Sequence, residues 1–150
     1  MTQLSMHFSL AELTVSTKAK ALGLSNVPDA ETQKRLTVAA EGMEKVRTLL
    51  GNQPIKINSG YRSPAVNVAV GGSKTSAHCQ GYAIDFTCAM FGTPYDVCMK
   101  ILASDIMFDQ LIHEYGSWTH ISFDPRGRRM PLTIASAKRG YLSGILKIRT

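Results

Sequence analysis

The chain has 150 residues, 44% of them hydrophobic and 19% charged, a balance that excludes wholesale disorder and suits one domain with its own core over residues 1–150. Apolar runs stay short of the roughly 20 residues a helix needs to cross a bilayer, and Met1 to His7 show no basic cluster leading into an apolar stretch, so neither a membrane span nor an export signal is expected. The formal net charge of +6 is uneven: residues 125–150 hold seven Lys and Arg and no acid, whereas residues 1–124 hold ten against eleven Asp and Glu, a balance of −1.

Ser9 with Glu12 three residues on reads as the capped start of a short helix. Pro28 to Glu31 opens a longer one. Its apolar positions Leu36, Ala39, Ala40, Met43, Val46, Leu49 and Leu50 recur at helical steps until Gly51 ends it. Ile55 to Asn58 alternates as a short strand and enters the turn Ser59-Gly60-Tyr61-Arg62. Ser63-Pro64 caps a short helix that stops at Gly71-Gly72, and a polar loop follows. Tyr82 to Thr87 reads as a strand, and Thr93-Pro94 caps a helix carrying Val97, Ile101 and Leu102. Phe108 to Tyr115 and Trp118 to Phe123 form a hairpin across Gly116-Ser117. Early helices and late, closely connected strands give the α+β class, with a small, mainly antiparallel sheet flanked by helices.

Strand alternation places the chemistry. Ile84 and Phe86 take one face of their strand, and Ala83, Asp85 and Thr87 the other. Likewise Trp118, His120 and Ser122 lie opposite Thr119, Ile121 and Phe123. A carboxylate among small residues is thereby poised over a cleft, and His78, in the loop just before its strand, can fold back toward it. Two imidazoles and one carboxylate are a sufficient set for a catalytic zinc that keeps a fourth position open. Taken singly, each residue has a plainer reading. His78 can be a surface histidine, Asp85 an edge residue that discourages aggregation, and His120 the filler of a half-buried sheet position.

The combination resembles the zinc peptidases of the bacterial cell wall: the D-alanyl-D-alanine carboxypeptidases and dipeptidases, and the phage endolysins that cut the L-alanyl-D-glutamate bond. Their signature is matched by Ser76-Ala77-His78, Asp85 seven positions after His78, and Trp118-Thr119-His120. Ser59-Gly60-Tyr61-Arg62-Ser63-Pro64 and Asn67 to Gly72 are further landmarks, so the resemblance covers about residues 7–124. It implies the hedgehog/D-Ala-D-Ala peptidase fold, one zinc ion on His78, Asp85 and His120, and Glu114 as the general base. One branch of the family puts its acid three residues before the last His, where this chain has Ser117; Glu114 matches the branch with the longer spacing. Arg62 would bind a substrate carboxylate or the developing oxyanion, and Ser76 would bond substrate or orient a ligand. The implied activity is hydrolysis of peptide bonds in peptidoglycan stem peptides, as an endopeptidase or a carboxypeptidase.

Alternation sends His113 to the face opposite Glu114, a structural place. Cys79 adjoins His78, and neighbours in an extended loop seldom reach one ion; an idle thiol fits it better. The three cysteines are too few and odd for a disulfide framework and suit a reducing compartment. Gly72-Ser73-Lys74-Thr75 lacks the glycine before lysine of a phosphate loop, and no His-Glu-x-x-His helix is present. Without an export signal the expectation is a monomeric phage protein, made in the host cytoplasm and released onto the wall or carried in a virion. The basic segment 125–150 would hold it on an anionic envelope. Nucleic-acid binding is set aside because Tyr141 is the one aromatic near those charges. A zinc-stabilised binding module without catalysis, as in hedgehog signalling domains, is the competing class.

Overall fold

The computed structural model describes residues 2–148. Three helices precede the sheet. Helix α1 (Leu10–Leu13) is closed by the reciprocal Ser9–Glu12 capping box, and α2 (Thr17–Leu22) by Ser16 at its start and Gly23 at its end. In α3 (Ala30–Leu49) Asp29 caps the first turn, and Leu36, Ala39, Ala40, Met43 and Val46 are buried along one stripe. That stripe lies in the core with Phe8, Leu13, Ile84, Phe86, Ile101, Phe108, Leu111 and Ile121.

The strands are β1 (Lys56–Ser59), β2 (Ala83–Thr87), β3 (Gln110–Glu114), β4 (Trp118–Ser122), β5 (Met130–Ile134) and β6 (Tyr141–Ser143). They form one sheet in the order β1-β2-β4-β3-β5-β6, antiparallel except where β5 runs parallel to β3. The mixed α+β class with helices flanking a mainly antiparallel sheet is thus the observed architecture. Between β1 and β2 lie α4 (Pro64–Ala69), capped by Ser63, and α5 (Ala77–Gln80); between β2 and β3, α6 (Pro94–Leu102) starts with a Thr93–Asp96 capping box.

Four features depart from the expectations. Residues 17–22 are helical, and the loop expected to carry His78 closes into α5, ending at Gly81 with φ 90°. The β3–β4 turn has its positive φ at Tyr115 (57°) and Gly116 (68°), one residue earlier than Gly116-Ser117. The segment after residue 124 adds two strands to the sheet. It is anchored by Asp109, which is 1% exposed and accepts Arg128 Nε at 2.7 Å and Arg128 Nη2 at 2.8 Å. Arg126 Nη2 donates to Asp124 at 3.0 Å, and Arg129 caps the carbonyls of Ile106 and Ser104 with its guanidinium over Phe108. Three of the segment's cations therefore hold internal partners. Arg126 and Arg128 stay exposed, their charge partly offset by Asp124 and Asp109.

Candidate metal centre and active site

Register builds the site. Asp85 on β2 faces His120 on β4 directly, and both side chains stand on the face opposite Ile84, Phe86 and Ile121. His78 reaches the same point from the single turn of α5. Ser76 caps that turn by accepting the His78 N–H at 3.2 Å, and the His78 carbonyl accepts the Arg62 N–H at 3.1 Å. The result is a buried trio, with His78 3% exposed, Asp85 9% and His120 7%. Asp85 bridges the two rings, Oδ1 lying 2.9 Å from His120 Nδ1 and Oδ2 3.3 Å from His78 Nε2.

Gly60 sets the direction of His78. Its carbonyl can only accept, so His78 Nδ1, 2.8 Å away, carries the proton and turns Nε2 toward Asp85. Residue 60 must be glycine because a Cβ there would meet the Leu13 carbonyl oxygen at 2.3 Å, while the next residue's N–H donates to that same oxygen at 2.7 Å. The sequence shows this glycine inside Ser59-Gly60-Tyr61-Arg62; its part in orienting a histidine appears only once α1 and α5 are in place.

One ligand atom from each of His78, Asp85 and His120 can be chosen so that all lie within 4.8 Å of one another. Two neutral nitrogens and one carboxylate oxygen, with one ring fixed through its other nitrogen, fit a tetrahedral zinc that keeps an open position. Burial pushes Asp85 toward its neutral form, but the His78 and His120 imidazoles outweigh it and hold the carboxyl well below the usual range. The anionic form that a cation needs is the one the fold stabilises.

Glu114, on β3 opposite Trp118, is the diagonal neighbour of His120 and brings Oε1 within 3.8 Å of His120 Nδ1. Burial, reinforced by the Asp85 charge and opposed by His120, raises its pKa to about 7. Arg62 donates from Nη2 to Ser76 Oγ at 3.1 Å, and its buried Nε has no partner among the described residues. All six expected site residues, Arg62, Ser76, His78, Asp85, Glu114 and His120, line one cleft of about 530 Å³. The sequence reading missed Leu132 and Tyr141, which line it from β5 and β6. A larger depression of about 630 Å³ lies along α3 at Glu44 and Lys45, and no histidine or cysteine lines it.

Neither neighbouring candidate joins the trio. His113 is buried on the other face and donates from Nδ1 to the Leu146 carbonyl at 2.9 Å. Cys79 stays a partly buried free thiol, its pKa raised by burial, outside the ligand cluster.

Among curated proteins none matches the chain. The family model for peptidase M15 matches residues 6–122, which contain the trio, Glu114, Arg62 and Ser76. That match extends over most of the sequence, and the family's zinc dependence agrees with the donor set at its centre. The chain belongs to the peptidase M15 family, zinc-dependent metallopeptidases that act on peptidoglycan.

Proposed function

We propose that this chain is a phage-type lysin that hydrolyses a peptide bond within peptidoglycan stem peptides, released onto the wall from the host cytoplasm or carried in a virion. His78 Nε2, Asp85 and His120 Nδ1 would hold the metal. A zinc ion held by these residues would supply Lewis acidity to the scissile carbonyl and to water. Glu114 takes the proton from the attacking water and returns it to the leaving amine. Arg62 presents its fixed charge to the oxyanion or to a substrate carboxylate, and Ser76 holds the guanidinium in place.

The observation that carries this reading is Glu114: a carboxyl 14% exposed, 3.8 Å from a ring nitrogen of the trio, and raised to about 7. A metal needed only for folding has no use for an unligating acid poised there. A carboxylate that stands beside the metal ligands without being one of them is placed to take a proton from water and give it back.

The test separates metal binding from turnover. Glu114→Gln retains stoichiometric zinc and loses amine release from peptidoglycan, whereas His120→Ala loses both. Near-full turnover in Glu114→Gln would remove the base assignment. Stoichiometric zinc in the wild type without amine release would favour the binding-module reading.

A further inference from the structure

Two rows of cross-strand partners run from the metal strands toward the far edge of the sheet: His120, Ile112, Leu132, Ser143, and beside it Trp118, Glu114, Ile134, Tyr141. Residues in register share a face, so Leu132 and Tyr141 stand on the side that carries His120 and Glu114, and both line the cleft. Arg62 closes its other end, just after β1. The cleft is therefore longer than the catalytic group. From β4 to β6 is three strand spacings, about 14 Å, room for about four residues of extended peptide.

Tyr141 has no evident structural duty. It is 59% exposed on a strand of three residues, and its hydroxyl makes no hydrogen bond among the described residues. Both strands lie beyond residues 6–122, so this wall is built from sequence outside the family match.

Resting on the peptidase reading above, we infer that Tyr141, flanked by Leu132, forms a subsite gripping an extended stem peptide three or four residues from the cut bond, on the side remote from Arg62. The ring covers apolar side-chain surface of the peptide, and the free hydroxyl meets its backbone. A dipeptide fills the catalytic end and never reaches this ring.

The experiment uses zinc-loaded Glu114→Gln protein, which holds substrate without cutting it. Trp118, the one tryptophan of the chain, lines the cleft and reports occupancy by its fluorescence. Titration with a stem pentapeptide should show Tyr141→Ala weakening affinity by about tenfold, the scale of one well-packed aromatic contact, with Tyr141→Phe recovering most of the loss. The dipeptide D-alanyl-D-alanine should lose less than about twofold. Equal pentapeptide affinity with and without the ring would overturn the subsite while leaving the peptidase reading intact. Failure of the Glu114→Gln protein with Tyr141 intact to bind either peptide would overturn both.

Discussion

Glu114 makes a prediction that needs no substrate. A carboxyl that titrates near 4.5 in the unfolded chain and at about 7 in the fold is held more readily as the acid than as the anion. Between those values the folded state binds more protons than the unfolded state, so this group's contribution to stability falls as pH rises. Two and a half pKa units correspond to about 3 kcal/mol, fully expressed above pH 7 and absent below 4.5. Glu114→Gln keeps the shape and removes the charge. The metal-free variant should therefore melt about 6–12 °C above metal-free wild type at pH 8, at about 2–4 °C per kcal/mol for a chain of this length, with the gap closing by pH 4.5. Thermal melts monitored by circular dichroism in excess chelator, across pH 4.5 to 8, read this directly. Added zinc should shrink the gap, because a cation beside Glu114 relieves the penalty. An offset of the same size at every pH, or none at pH 8, would refute the claim that burial and Asp85 hold this carboxyl toward its neutral form.

Gly60→Ala drives a Cβ into the Leu13 carbonyl and disturbs the carbonyl that orients His78; zinc affinity should fall about 10- to 100-fold in competition with a chromogenic chelator, and unchanged affinity would break that link. Asp109→Ala leaves the half-exposed Arg128 without its bidentate acceptor, and urea denaturation should show a loss of about 2 kcal/mol from the charge-assisted hydrogen bonds; no loss would mean that β5 is held by sheet pairing alone. If the C-terminal segment contacts an anionic envelope, Lys138 and Arg139 are the exposed cations freest to do so, because Arg126 and Arg128 face Asp124 and Asp109 and Lys147 lies over the Tyr95 ring. Neutralising Lys138 and Arg139 should weaken pelleting with cell walls at low salt and make no difference at high salt; equal pelleting at low salt would remove that role.

The site was legible because strand alternation carries it. Once Tyr82 to Thr87 and Trp118 to Phe123 are read as strands, Asp85 and His120 must project from one face, and the observed register pairs them directly. Capping signals at Ser9, Ser63-Pro64 and Thr93-Pro94 placed three helix starts correctly, and the apolar steps of residues 36–50 placed α3. Other parts are decided by partners distant in sequence. A proline at position 131 argues against a strand, yet β5 forms because Arg128 and Asp109 deliver it beside β3, and Gly144 N–H bonds the Pro131 carbonyl at 2.9 Å. Tyr141 to Ser143 is too short for any period to show. The seven basic residues near the C-terminus display their charge in the sequence, but the acidic and carbonyl partners of Arg126, Arg128 and Arg129 lie outside that segment. Gly60 belongs to the same class: its glycine is visible, its neighbour Leu13 is not.

Mass spectrometry of fragments released from intact peptidoglycan by the wild-type protein, with and without chelator, reads the proposed reaction itself. New amine termini should appear within the stem peptides, be lost on chelation and be absent in the Glu114→Gln protein. Free D-alanine as the sole product would place the cut at the end of the stem. Fragments that persist in chelator, or wild-type protein carrying one zinc per chain and releasing nothing, would contradict a zinc peptidase centred on His78, Asp85 and His120.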